Sequence, residues 1–243
     1  MSTLVLRLSG PMQSWGSSSR FTRRATDHAP TKSGVIGLLA AARGMRRTDP
    51  LEELLSLRFG IRIDQPGRIE RDFQTARQEN KGKVTSLPLT ERYFLTDATF
   101  VAAVEGDDSL ITALNDAVKD PVFPLYLGRR AFPPAGPLTL GVRESDVWTA
   151  LTNVEETPWQ ASNWWKRKQH SEVNLEIRID ADAVPIESRS GAITLATQSD
   201  APISFDPTLR QYGIRRVAQT SVRVPGLTNT RQGHDPMALL GGA

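Results

Sequence analysis

The sequence predicts an α+β chain built around a ferredoxin-like, RNA-recognition-motif-like sheet with helices on one side. Three observations predict it: the element order β-α-β, β-hairpin, β-α, a long charged hairpin in the middle, and a change of punctuation after Pro121. With 243 residues and 39% apolar content, the chain can bury the core of one large domain or two small ones.

Thr3 to Ser9 alternates Leu4, Leu6 and Leu8 with Val5, Arg7 and Ser9, the two-residue period of a strand with one buried face and Arg7 on the open one. A Ser-, Gly- and Arg-rich loop ending at Pro30 follows, and a loop that long in a compact domain marks a functional or a mobile segment. Thr31 or Ser33 can cap the next helix. Its stripe is Val35, Ile36, Leu38, Leu39 and Ala42, and Gly44 stops it. Asp49-Pro50 opens a second short helix through Leu57, Arg58 to Asp64 reads as a strand, and Pro66-Gly67 is a turn. Asp72 to Glu79 and Lys83 to Leu87 flank the turn signal Asn80-Lys81-Gly82, and Glu91 to Glu105 returns as a long strand. The charged tip predicts a hairpin that projects. Asp108 to Lys119 places Leu110, Ile111, Leu114 and Val118 on one helical face, and Pro121 ends that helix.

Pro121, Pro124, Pro133, Pro134 and Pro137 then crowd around Leu127-Gly128-Arg129-Arg130, which puts a domain boundary near residue 140. Residues 1–140 form the first domain, with the hairpin at about 72–92. Residues 141–243 read as a smaller β-rich domain. It has a helix at Asp146 to Thr152, a Trp-rich loop from Pro158 to His170, strands near Glu172 to Asp182 and Gly213 to Val224, and an irregular tail from Gly226.

Composition narrows the chemistry. The chain has no cysteine, which removes disulfides, thiolate metal sites and cysteine nucleophiles and fits a cytoplasmic setting. The longest uncharged apolar run, Gly34 to Ala42, is far short of a membrane span. Residues 1–50 carry eight Lys/Arg against Asp27 and Asp49, whereas the whole chain is only +3, so the positive charge is concentrated. That concentration points to one anionic partner on one face. Arginines outnumber lysines 24 to 6, which favours forked contacts to phosphate.

Pro30-Thr31-Lys32-Ser33-Gly34 invites comparison with a nucleotide-binding P-loop, but Thr26 and Thr31 occupy its two required glycine positions. The helix start still offers free N–H groups, two hydroxyls and an ammonium to a phosphate. Gln13-Ser14-Trp15-Gly16 adds hydrogen-bonding groups and a stacking ring beside Arg20, Arg23 and Arg24, the equipment for single-stranded RNA. Trp164-Trp165-Lys166-Arg167-Lys168 reads as an aromatic plug beneath a surface loop or, alternatively, as a contact for nucleic acid or protein. His28, His170 and His234 are isolated, no metal or cofactor motif is present, and nothing poises His28, Tyr93 or Lys32 as a ribonuclease acid or base.

Four ordered segments resemble the CasD family of type I-E CRISPR systems: Leu6 to Gly16, Pro30 to Leu39, Arg92 to Ala98, and Tyr126 to Arg130. The resemblance implies an RNA-recognition-motif-like palm and a β-hairpin thumb that hold the 5′ handle of the CRISPR RNA (crRNA) without cutting it. It implies a place in the Cascade complex against the large subunit and a backbone subunit, with target DNA met indirectly and neither a cofactor nor a membrane involved. It puts Gln13, Ser14, Trp15 and Gly16 in the handle-binding loop, Arg24 and Lys32 beside phosphates, and Arg129 and Arg130 in a second basic loop. Arg20, Arg23, Thr31, Ser33, Arg46 and Arg47 complete the expected RNA-binding set, and Gln78, Asn80, Lys81, Lys83 and Arg92 belong to the thumb. Phe132 departs from the family, where a cysteine often follows the Arg-Arg pair. The alternative is a metal-independent endoribonuclease that cuts repeat RNA, as the related type I-C subunit does.

Overall fold

Alternation in the first segment does produce a strand, and in the computed structural model it is longer than the periodicity alone requires. The structure describes residues 1–16, 22–80, 82–169, 172–190 and 193–226. Strand β1 (Ser2–Gln13) runs antiparallel to β7 (Thr90–Gly106), from Ser2 opposite Gly106 to Gln13 opposite Leu95. The register skips Pro11 and Asp97, and Asp97 takes φ 59°. Proline has no N–H to give the ladder, so the interruption falls where a bond is missing in any case.

Helix α1 (Lys32–Ala42) follows the two-residue strand β2 (Arg23–Arg24). The second helix, α2 (Glu52–Leu55), is shorter than its sequence pattern suggests, and β3 (Arg58–Gln65) pairs with β7. The hairpin system expected as three strands, the returning one included, is built from four. β4 (Arg68–Gln74) pairs with the start of β7, and β5 (Arg77–Asn80) pairs with β6 (Lys83–Ser86) as a separate two-stranded ribbon. Pro88 sits between β6 and β7, where the ladder changes partner. Helix α3 (Asp108–Lys119) is capped by the Asp107 carboxylate accepting from Ser109 N–H, and β8 (Thr139–Arg143) adds to the outer side of β1. Among these strands the order is β3-β7-β1-β8, connected as β1-α1-β3-β7-α3-β8.

Residue 140 falls inside β8. Beyond it come α4 (Val147–Thr152), α5 (Asn163–Arg167) and the strands β9 (Glu172–Asp180), β10 (Thr194–Ser204) and β11 (Gln211–Pro225). These strands continue the same sheet past β3 in the order β9-β11-β10. The Trp-rich segment read as a loop contains the one-turn helix α5, started by Ser162 Oγ accepting from Trp165 N–H at 3.2 Å.

Two cores result. Leu4, Leu6 and Leu8 of β1 join Ile36, Leu39, Phe100, Ile111 and Leu114 under α1 and α3. On the reverse face Val5, Val101 and Ala103 pack against Val147, Leu151, Ile177 and Ile179. The face expected to be open around Val5 is therefore closed by α4 and β9, and most of β1 is buried on both sides. Among the described residues no helix is long and apolar enough to cross a membrane, and no group of three or more His, Asp or Glu side chains is placed to hold a metal.

Candidate nucleic-acid interface

Three of the four motif segments converge at one end of β7. The loop after β1 is tied to the second basic loop by Ser14 N–H donating to Leu127 O at 3.1 Å. Gly128 lies against it with φ +88°, and a Cβ there would stand 1.7 Å from Ser14 O, so only glycine fits. Arg129 then reaches across β7, its guanidinium Nη2 donating to Tyr93 O at 2.8 Å and to Arg24 O at 3.3 Å. Ser14 Oγ donates to the same Tyr93 carbonyl.

Strand register supplies the rest of the site. β2 lies parallel to β7 with Arg24 beside Arg92, and β4 lies on the other side of β7 with Asp72 beside Arg92. Neighbours in register share a face, so Arg24, Arg92 and Asp72 form one row. Arg129 joins this row, and its proton affinity falls below that of an ordinary arginine, first through burial and then through repulsion from Arg92 and Arg24, with Asp72 opposing. Arg92 Nε is buried without a hydrogen-bond partner. Three guanidiniums against one carboxylate, one of them unsatisfied, form a site short of negative charge. Arg23 is exposed and lies 5.2 Å over the Tyr93 ring, and Arg130 is exposed beside Arg129. Phe94 and Phe132 pack 5.7 Å apart beneath, so the phenyl ring found in place of a cysteine is an interior element.

Several expected contacts turn inward instead. Gln13 is 0% exposed, donating from Nε2 to Leu8 O and Ala98 O and accepting from Trp15 Nε1. Trp15, expected as a stacking ring, is 1% exposed and rests on Gly34, where a Cβ would meet the indole at 2.8 Å. The rings and amide that looked like readers of RNA instead fix the shape of the loop, leaving Gly16 at its exposed edge. The start of α1 is also filled from within. Thr31 is the cap residue, its Oγ1 accepting from Gly34 N–H and lying 3.4 Å from Ser33 Oγ. Lys32 N–H donates to Asp200, and its ammonium pairs with Asp180 at 2.8 Å. Arg215 bridges both aspartates. A carboxylate thus occupies the place predicted for a phosphate, and the ammonium is already neutralised.

Arg46 and Arg47 are exposed beyond the far end of α1, roughly 16 Å from its start, and do not join the cluster. Gln78 is exposed on the hairpin, and Asn80 and Lys83 stand opposite each other at its tip. Arg20 and Lys81 lie outside the described residues. Sequence reasoning missed Asp72, which only strand register places beside Arg92, and the aspartates 180 and 200, which carry no local signal. For the ribonuclease alternative, no hydrogen bond joins His28, Tyr93 and Lys32 among the described residues. Tyr93 Oη donates to Glu91, and Lys32 is held by Asp180.

Comparison with known proteins identifies the family. The chain is 38% identical over 173 residues to the CRISPR system Cascade subunit CasD of Escherichia coli (strain K12), covering 63% of this chain and 77% of that protein. A solved CRISPR RNA-guided surveillance complex contains a chain that superposes with TM-score 0.72 at 32% identity, covering 92% of this chain and 91% of that one. A crystal structure of a Cas protein gives 0.66, also at 32% identity, over 92% and 98%. Residues 3–218 match the family model described as CRISPR-associated protein (Cas_Cas5), and the chain belongs to the Cas5 family of CRISPR-associated proteins.

Proposed function

We propose that this chain is a non-catalytic subunit of a Cascade-type surveillance complex, cytoplasmic, that holds the 5′ handle of the crRNA. In this reading it joins the large subunit to the backbone subunits and meets target DNA only indirectly. One observation carries the reading: Arg24, Arg92 and Arg129 converge in one row with Asp72, three cations to one carboxylate in that row among the described residues, at the point where the motif loops meet. Partly buried cations without counter-charges are stabilised by an anionic ligand, and a phosphodiester accepts several forked contacts at once.

The strand order β3-β7-β1-β8 supports reading residues up to about 140 as a ferredoxin-like, RNA-recognition-motif-like palm, which the later strands extend within one sheet. The ribbon from Asp72 to Arg92 is read as the thumb. It exposes Phe73, Val84, Leu87 and Leu89, an apolar load suited to contact with another subunit. The test is incubation of purified chain with labelled repeat RNA in EDTA. Retention of intact RNA that depends on the handle supports the proposal, and release of a discrete handle product overturns it in favour of the endoribonuclease.

A further inference from the structure

A second cationic surface lies on the reverse face of the sheet. Arg7 pairs in register with Val101 and shares the face of Val5, the side covered by α4. It is only partly buried, its Nε is buried without a partner, and its side chain makes no hydrogen bond or ion pair among the described residues. Arg62 stands on the other side of Val101 in the same row and its fork donates to Pro158 O, next to Trp159, whose carbonyl takes the Lys166 ammonium at 2.5 Å. Arg7 and Arg62 lower the proton affinity of Lys166, after burial and against the pull of Asp64. Asp64 cannot neutralise the group, because both its oxygens are engaged by the Arg62 fork at 2.7 and 3.1 Å and one also accepts from Gln160 N–H. Along α5 come Arg167, then Lys168, whose ammonium lies 3.8 Å over the ring of Trp164, which is 53% exposed. The helix holds no acidic residue.

We propose that Arg7, Lys166, Lys168 and Trp164 form a second nucleic-acid contact, taking phosphates of a single strand on the cations and a base against the exposed indole. This rests on the RNA reading above and extends it along the sheet. Arg7 stands nine register positions along β7 from Arg92, roughly 30 Å of strand, so the two sites cannot share a phosphate. A strand that passes from the Arg92 site to α5 reaches both. An indole with cations beside it, none of them in an ion pair among the described residues, suits a base and its phosphates.

The experiment measures fluorescence anisotropy of two labelled RNAs on the full chain across a salt series: a handle-length oligonucleotide and a longer one continuing into spacer. Arg7→Gln, Lys168→Glu and Trp164→Ala are compared with Arg92→Ala. Arg7→Gln, Lys168→Glu and Trp164→Ala are expected to leave handle binding unchanged and to weaken the longer RNA, about tenfold for Trp164→Ala. Loss of each cation flattens the salt slope by roughly 0.7. Arg92→Ala weakens both RNAs. If these three variants bind the longer RNA as the parent does while Arg92→Ala is impaired, the second site is refuted and the RNA reading stands. If they keep RNA binding but lose a protein subunit on purification from the host, the surface is a protein dock and the proposal is likewise overturned. If Arg92→Ala also binds both RNAs normally, the RNA reading itself fails. Arg7→Gln removes a side chain without partners, so its melting temperature should match the parent's, and Lys168→Glu lies on an exposed position.

Discussion

Arg92→Ala isolates the charge deficit at the candidate interface, because Arg92 makes no hydrogen bond or ion pair among the described residues that the substitution would break. Its Nε is buried and unpartnered, and it stands beside Arg24 with repulsion on Arg129. Without RNA, removal relieves like-charge repulsion, so the melting temperature should hold or rise. With RNA, the same change deletes a charge-assisted contact of about 1.5–3 kcal/mol. At about 1.4 kcal/mol per tenfold, handle affinity should fall between roughly tenfold and a hundredfold. Three cations on a single strand give a slope near −2 in log affinity against log salt, and the variant should lose roughly 0.7 of it. Anisotropy titrations with handle RNA from 50 to 200 mM salt, ~0.15 M being the physiological point, measure both quantities. Unchanged affinity and slope with an intact fold would refute the reasoning, and a lowered melting temperature would show that Arg92 is a structural residue.

Gly128→Ala should destabilise the chain, since the backbone conformation alone costs about 1–2 kcal/mol and the Cβ meets Ser14 O at 1.7 Å. A thermal melt matching the parent's would show that the two loops are not locked together. Lys32→Ala should lower stability by about 1.5–3 kcal/mol through the lost bond to Asp180 while leaving the RNA salt slope unchanged. A flattened slope in a stable variant would return the start of α1 to the RNA site. Deleting residues 78–83 removes the tip of a separate ribbon and should leave the melt unchanged while impairing retention of RNA or of neighbouring subunits. An unfolded product would show that the ribbon supports the core.

The parts legible in the sequence are those set by local period and local chemistry. β1 showed its two-residue alternation, α3 its one-sided stripe, and the hairpin its charged turn at Asn80-Lys81-Gly82. The meeting of the two basic loops was also readable, because Gly128 and Arg129 sit in a short conspicuous motif. What escaped was determined by partners far along the chain. The second face of β1 is covered by residues beyond 140, and Lys32 is claimed by aspartates 148 and 168 positions away. Trp15 and Trp164 look alike as aromatics in polar segments. Their fates differ because Gly34 offers a flat seat to the first, while the second lies on a five-residue helix, half exposed and covered only by the Lys168 ammonium among the described residues.

The tie between the start of α1 and Arg215 has a consequence for how the chain is made. Until Arg215 emerges from the ribosome, two carboxylates at positions 180 and 200 face a single ammonium, and the interior cannot close over that imbalance. The strand carrying Arg215 also lies between β9 and β10, so β10 cannot join the sheet before it arrives. The start of α1 is therefore finished only when β11 is in place, and a chain cut before Arg215 leaves Asp180 and Asp200 sharing one ammonium. β11 thus acts as a clasp on the first helix, tying the last described strand to residues nearly two hundred positions earlier.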